Sequence, residues 1–598
     1  MIPNNLSQTL NTLRFQALKW RLRNMSKRNF ILLLSVGTGL VVGISAILLK
    51  NLVHYIQNYL QYRVHFPYHT SLFFIFPLLG IVLTAFLVKR LLNGNLGRGL
   101  SPIIENIATK GSKIERHKTW SHVLTSGITA GFGGSAGLEA PIVVTGSAIG
   151  SNLGILAHLN YRERTLLLGC GAAAGISAVF NCPIAGVIFA FEVLLEGFSV
   201  PAFIPLLLSS ATAAVVSRFF FSERLFYLIT DVWTVRQLPF YIVLGLLCGL
   251  VSVYMTRMSW SIEGRLRRWD SHYRKAVVGG LMLGALIFLI PPLYGEGYTI
   301  IQEMLNGNYE ILVANSLYQL LPQNVLLLIG LSAIIVVFKV IATSLTIGSG
   351  GNGGIFAPSL FTGSVLGFGF SAGINYLGFI HLPVASFVAT AMAGILSGVV
   401  HAPLTGIFLI AEITGGYNLF IPLMLVSATS FFVARLFEPY SIYTRRLARK
   451  GIIGSNQKDA AIMRSLRLKQ FIRKSEYLLD ANTTLGELVE IVKHSHVNFY
   501  PVLDSEKQLC GMIELDRIRD LLFQPEQYKN TYVRDFMYQP AMQISVNQTC
   551  ESVFRRFNKC DEECLPVLEG AAFKGLIYKN ELLEAYRHKL IRQSRELS

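Results

Sequence analysis

Gly350-Gly351-Asn352-Gly353-Gly354-Ile355-Phe356-Ala357-Pro358 interrupts hydrophobic sequence, and Gly134-Ser135-Ala136-Gly137-Leu138-Glu139-Ala140-Pro141 does the same earlier in the chain. Gly and Pro disfavour continuous helix, so each break opens a short helix whose free amide N–H groups point into a protected cavity at membrane depth. Two such starts facing each other attract an anion.

A second pair of matches lies downstream. Asn181-Cys182-Pro183-Ile184-Ala185-Gly186, leading to Glu192, corresponds to His401-Ala402-Pro403-Leu404-Thr405-Gly406, leading to Glu412. The offset from Pro141 to Pro358 is 217 positions and that from Pro183 to Pro403 is 220. Nearly equal offsets imply one ancestral half used twice, with a site at the interface of the halves.

The composition sets the class. The 598 residues are 52% hydrophobic and only 15% charged, with a mean hydropathy of +0.47, which makes an integral membrane protein in a lipid bilayer. Ile31–Leu49, Leu72–Val88, Leu238–Met255, Ala276–Leu293 and Val325–Phe338 approach or reach the length of a span, about 20 residues as helix. Other apolar runs are short or interrupted, so broken helices are expected. The 52 glycines favour a compact many-helix bundle.

The net charge of +18 is not a nucleic-acid footprint. Arg14, Lys19, Arg21, Arg23, Lys27 and Arg28 precede the first span, and Arg435, Arg445, Arg446, Arg449 and Lys450 follow the last. Both termini are therefore expected in the cytoplasm, with the protein in the cell inner membrane. No cleavable signal peptide is expected in residues 1–29, which are polar and basic. The seven cysteines form no disulfide framework, and Cys560 and Cys564 have no partner pair for a metal. Neither HExxH nor a nucleophile elbow occurs, so no catalytic residue is expected.

The organisation reads as a basic lead (1–29), a membrane bundle (30–450, in halves of about 30–225 and 236–445), a linker (451–470) and a soluble repeat (471–528 and 529–590). In the soluble part the strand Phe499–Leu503, the strand Cys510–Ile513 and the helix Asp516–Phe523 return as Cys564–Leu568, Lys574–Ile577 and Glu581–Tyr586. This second internal repeat resembles a tandem of CBS domains. Such pairs bind adenine nucleotides or serve as assembly platforms. The ribose-recognition pattern, Ser or Thr three residues and Asp six residues after the strand glycine, is replaced by Glu514 and Arg517 and by Tyr578 and Glu581. Assembly is the favoured role.

Gly353-Gly354-Ile355-Phe356-Ala357-Pro358 and Gly137-Leu138-Glu139-Ala140-Pro141 resemble motifs of the CLC family of chloride channels and proton-coupled chloride antiporters, also called the voltage-gated chloride channel family. With the CBS pair the resemblance covers nearly the whole chain. It implies an all-α polytopic bundle of two inverted repeats with broken helices, a small α/β CBS pair, a homodimer and chloride as substrate with no required cofactor. The backbone amides of Ile355 and Phe356 then hold the central anion, and Glu139 is the gate. Leu138 and Ala140 depart from the family's Arg and Gly. Tyr443, in Pro439-Tyr440-Ser441-Ile442-Tyr443, aligns with the inner-gate tyrosine. Arg98, in Gly97-Arg98-Gly99-Leu100-Ser101-Pro102, stands where the family has an anion-binding serine. Either its amide substitutes while the guanidinium points away, or it supplies positive charge at the inner mouth; Ser101 is a substitute three residues late.

Glu192 matches the first of two consecutive glutamates found in many antiporters, and Val193 replaces the second, the internal proton acceptor. Glu192, Glu412 and Lys339 are intramembrane charges, read as proton-path or structural groups. Valine cannot relay a proton, so the favoured expectation is a gated chloride channel. The alternatives are a proton-coupled antiporter and, in a different class, a nonconducting CBS-based nucleotide sensor.

Overall fold

The computed structural model describes residues 25–60, 69–94, 96–195, 200–220, 233–314, 324–450, 452, 463, 466, 468–560 and 562–595. Arg14, Lys19, Arg21 and Arg23 of the basic lead, and most of the linker, lie outside the described residues. The chain divides into two compact units at Ile452 and Ile453.

The first unit is helical. The first half contributes α1 (Lys27–Asn58), α2 (His69–Leu92), α3 (Ser101–Thr109), α4 (Ser121–Gly131), α5 (Glu139–Leu156), α6 (Tyr161–Phe180), α7 (Pro183–Phe189) and α8 (Phe203–Phe220). The second half contributes α9 (Leu238–Arg267), α10 (His272–Leu289), α11 (Tyr298–Leu305), α12 (Val325–Ser349), α13 (Phe356–Tyr376), α14 (Val384–Val400), α15 (Pro403–Ile413), α16 (Phe420–Phe437) and α17 (Arg445–Arg449). Among the described residues nine helices are long and apolar enough to cross a membrane. The expected broken helices are present. α5 and α13 begin immediately after the two glycine-rich breaks, and α7 and α15 each begin at a proline, Pro183 and Pro403. Proline is tolerated at a first helical turn because its missing N–H would have no intrahelical acceptor there.

Local backbone geometry repeats with the sequence. α6 ends at Asn181 with φ of 59° and α14 ends at His401 with φ of 61°, both left-handed. Side chains rarely adopt that conformation, yet both halves use it to turn sharply into the next short helix. The repeats also share a packing device. A Cβ on Gly146 of α5 would stand 2.1 Å from the Gly171 carbonyl of α6, and one on Gly363 of α13 would stand 2.5 Å from the Ala391 carbonyl of α14. Small residues thus let each broken helix lie directly against its successor's backbone.

The halves clasp each other by exchange. The Glu192 carboxylate accepts the Leu404 and Thr405 amides at 3.0 and 2.7 Å and the Thr405 hydroxyl at 2.6 Å. The Glu412 carboxylate accepts the Ile184 and Ala185 amides at 3.1 and 2.8 Å. Each half therefore caps the short helix of the other, as an approximate two-fold relation between inverted repeats requires. α7 differs from α15 in continuing through a wide π-turn, Ala190–Leu194, which carries Glu192.

The second unit contains two sheets of the same topology. Strands β1 (Leu479–Asp480), β2 (Phe499–Leu503) and β3 (Leu509–Glu514) lie in that order, β1 parallel and β3 antiparallel to β2. Strands β4 (Ile544–Ser545), β5 (Cys564–Glu569) and β6 (Ala572–Tyr578) repeat it. Phe499, Met512, Cys564 and Leu576 form one buried cluster joining the repeats. The helix expected over Asp516–Phe523 is instead a pair of 3-10 turns, Leu515–Ile518 and Leu521–Phe523. Pro525 follows at once, and the residue before a proline is pushed out of the helical region, leaving too little chain for a stable α-helix. Its counterpart, Lys579–Arg595, meets no such stop and is a full helix.

Gly146→Val should lower the melting temperature of the detergent-solubilised protein, overpacking costing about 1–3 kcal/mol. Gly373→Ala, on α13 with nothing within 4 Å of a new Cβ, should be neutral or slightly stabilising.

Candidate functional site

The two glycine-rich breaks meet at the centre of the first unit. The Gly137 amide donates to the Gly354 carbonyl at 2.9 Å, and the Gly354 amide donates to the Gly137 carbonyl at 2.7 Å. This reciprocal pair is an antiparallel bridge and holds the starts of α5 and α13 against each other. Both positions need glycine: a Cβ on Gly354 would meet that of Ala140 at 2.8 Å, and one on Gly137 would meet that of Ala357 at the same distance.

A polar shell satisfies the remaining irregular backbone. The Ser135 amide donates to Thr346 Oγ1 at 3.2 Å and the Asn352 amide to Thr129 Oγ1 at 3.0 Å. The Asn352 side chain donates to Thr125 Oγ1 at 2.8 Å. Non-helical backbone at membrane depth is tolerated only when served in this way. The amides opening α5 and α13 have no intrahelical acceptors, so their positive ends face the junction between the halves.

Glu139 lies in that junction and is 1% exposed. Its Oε1 accepts the hydroxyl of Tyr298, the first residue of α11. The carboxylate also faces the Ala357 amide in the first turn of α13, while Oε2 is buried without completing a hydrogen bond. The side chain that begins α5 thus reaches the start of α13. Phe356, 2% exposed, packs against Phe180 and Phe189 with ring centroids 5.7 and 6.2 Å apart. Tyr298 meets the edge of the same Phe180 at 6.1 Å. The tyrosine that holds the carboxylate thus belongs to the same aromatic cluster as Phe356.

Tyr443 lies in the segment between α16 and α17, buried, with a hydroxyl that has no partner. Its backbone is fixed by Ser101, whose hydroxyl donates to the Tyr443 carbonyl at 2.6 Å, and the neighbouring Ile442 amide donates to the Val399 carbonyl at 3.3 Å. Glu438, paired with Arg257 at 2.7 Å and Arg445 at 3.0 Å, anchors both ends of the segment. Ser101 therefore supports Tyr443, and its proton is directed to a carbonyl.

The Arg98 guanidinium donates to the Ile347 carbonyl at 3.0 Å and the Gly350 carbonyl at 2.9 Å. It caps the C-terminal end of α12, where a cation complements unsatisfied carbonyls. Arg98 lines a cavity of about 310 Å³ with Ser101, Glu263, Arg267, Lys275 and Arg446. Glu192 and Glu412 are the inter-half caps described above. Lys339 is fully buried and donates to the Leu293 and Gly295 carbonyls at 3.2 and 3.0 Å. Val193 is half-buried and packs against the apolar core.

Sequence reasoning missed Tyr298 and Glu296. The motif Tyr294-Gly295-Glu296-Gly297-Tyr298 follows the apolar run ending at Leu293, and a carboxylate between glycines at a span boundary was the available signal.

In the second unit the departures from the nucleotide pattern are engaged with neighbours. Arg517 pairs with Glu514 at 2.7 Å and lies over the Tyr538 ring at 4.0 Å, and Glu581 pairs with Arg473 at 3.0 Å. Burial pushes Tyr578 up to about 12, so its hydroxyl stays neutral.

Paired broken helices that turn their amide ends toward a shared junction, with a carboxylate at that junction, define a membrane transporter of small anions. The sequence profile described as voltage gated chloride channel matches residues 80–435, and the CBS domain profile matches residues 468–524. The chain belongs to the voltage-gated chloride channel family. It is similar to a provisionally named ClcB-like chloride channel protein of Ralstonia nicotianae, 31% identical over 361 residues that cover 59% of this chain and 80% of that one. It is also similar to the H(+)/Cl(-) exchange transporter ClcA of Vibrio campbellii, 28% identical over 447 residues, 69% of this chain and 91% of that one. Among solved structures, a slow cyanobacterial Cl-/H+ antiporter shares the fold with a TM-score of 0.60 at 22% identity, covering 71% of this chain and 99% of that one.

Replacing Glu192 or Glu412 by Ala should destabilise the protein by similar amounts, about 1–3 kcal/mol each, because each leaves two helix-opening amides, at least one of them part-buried, without acceptors. Thermal melting of the two variants checks this; a loss confined to one would break the proposed equivalence of the halves.

Proposed function

We propose that the protein is a proton-coupled chloride antiporter in which Glu139 gates the anion pathway. The observation that carries this reading is the Glu139 carboxylate, buried between the starts of α5 and α13, held by Tyr298 and facing the Ala357 amide. Ionised, it is a tethered anion at the positive ends of both helices, where it competes with chloride. Protonated, it has lost the charge that holds it there, and chloride takes its place on the backbone amides of Ile355 and Phe356. One group then exchanges a proton for an anion. Tyr443, with its unpartnered hydroxyl, closes the other end of the path, supported by Ser101.

Val193 favours a passive channel, since it cannot carry a proton. Against it, relatives named as H(+)/Cl(-) exchange transporters span most of the membrane unit, so exchange is the better-supported reading. We infer further that the protein is a homodimer in the cell inner membrane with both termini cytoplasmic, as the basic flanks of its first and last spans favour. The CBS pair serves assembly, since the residues at its ribose positions are engaged in internal ion pairs.

The deciding experiment uses purified protein in liposomes. An inward chloride gradient should drive protons uphill, out of the vesicle, and chloride flux without proton movement would establish the channel instead. Chloride turnover should rise as pH falls, because protonation removes the competing charge. Glu139→Gln should retain chloride flux, lose proton movement and lose the pH dependence; an unchanged pH profile would remove the gate assignment. Titration of ATP into the full-length protein should give no saturable binding heat.

A further inference from the structure

Glu296 is a half-buried carboxylate that the mechanism above leaves unused. It lies in a strap, residues 294–298, between α10 and α11, and the strap is tied to the transport centre at three points. The Gly295 amide donates to the Gly133 carbonyl, next to the first glycine-rich break, at 3.1 Å. The Gly295 carbonyl accepts Lys339 Nζ. Tyr298 donates to Glu139. Glycines make the fit possible: Gly297 has φ of 93° and a Cβ there would stand 2.4 Å from the Phe361 ring, while a Cβ on Gly133 would overlap the ring of Tyr294. Glu296 is held between these ties, half-buried as a residue, with Oε1 sealed from solvent and without a hydrogen-bond partner.

Three charged groups are near enough to act on it electrostatically: Glu139 on α5, Lys50 on α1 and Lys339 on α12. Tyr298 completes the set, and Cys182 lies beyond Lys50. Lys50 Nζ donates to the Ala178 carbonyl at 3.2 Å. Lys339 makes two carbonyl bonds and lies 4.5 Å from the Phe361 ring centroid, partners suited to an ammonium. With both lysines protonated and both carboxyls ionised, the four charges would cancel. A buried carboxylate oxygen without a donor is costly when ionised and has a use when it exchanges a proton with a neighbour.

We propose that Glu296 is a proton-relay residue that takes a proton from solution on the strap side and passes it to Glu139. The inference rests on the antiport reading. The transfer breaks an O–H bond on the Glu296 carboxyl and forms one on the Glu139 carboxylate, leaving Glu296 ionised; no electrons change owner. Arrival of the proton takes the cluster from neutral to a single positive charge. Chloride entering as Glu139 leaves the junction restores neutrality, which links the two movements electrostatically.

The test is paired chloride and proton flux in liposomes for the unsubstituted protein and Glu296→Gln across about pH 5 to about pH 8. The relay predicts that the Gln variant keeps chloride flux while its proton flux falls on the order of a hundred-fold, with a displaced pH profile. Glu296→Asp, which keeps a titratable group, should recover much of the proton flux. Equal loss of both fluxes in Gln and Asp, or a proton flux unchanged in Gln, overturns the relay. If the unsubstituted protein moves no protons, the antiport reading itself fails; if it pumps and Gln pumps equally, only the relay does. Should Gln at 296 prevent folding, infrared difference spectra of Glu139→Gln over the same pH interval decide. They should retain the C=O stretch of a buried protonated carboxyl, and its absence overturns the assignment.

Discussion

The reciprocal hydrogen bonds between Gly137 and Gly354 are the constraint on which the membrane unit depends. A chain that stops being helical in the middle of a bilayer must find partners for its backbone without water. Here two interruptions serve each other. Thr129, Thr346 and Asn352 absorb neighbouring demands, which leaves the first-turn amides of α5 and α13 as the donors available to an anion. Main-chain donors of this kind attract negative charge without adding a full positive charge that would trap it.

The symmetry that builds the site does not extend to its chemistry. Glu192 and Glu412 exchange caps between the halves, and Asn181 and His401 make the same left-handed turn. At the first turn of the broken helices, however, the repeat places Glu139 in one half and Phe356 in the other. A symmetric scaffold thus positions two helix starts equally and then arms only one. The consequence is directional: a carboxylate from α5 reaches the start of α13, and nothing ionisable returns.

Much of this was legible in the sequence because duplication marks backbone roles. The breaks, the helix-opening prolines and the paired glutamates recur at nearly constant offset, so the fold, the bundle's interrupted helices and the location of Glu139 could be read directly. Contacts carried by side chains at unrelated positions could not. Arg98 sits in a motif where a hydroxyl was expected, and only the three-dimensional placement of Ile347 and Gly350 reveals it as a helix cap. The bond from the Ser101 hydroxyl to the Tyr443 carbonyl is likewise not visible in its motif. The segment containing Asp516 had helical composition, but Pro525 cut the available length, a local conflict that periodicity alone underweights.

Val193 gains a different meaning in this setting. The position that would carry an inner acceptor is packed into apolar core, so any coupling must rely on groups that the halves do not share by descent. The strap provides them. Residues 294–298 lie between the broken helices of the two repeats in sequence, have no counterpart among the duplicated motifs, and touch the first break through Gly133, Glu139 through Tyr298 and α12 through Lys339. The helix starts are thus the inherited, duplicated part of the machine, whereas Glu296, one of the charges near its carboxylate, sits in a segment of the second half with no counterpart among the duplicated motifs. Exchange and passive conduction can then diverge within one scaffold by changing a few residues of the strap while the cradle stays fixed.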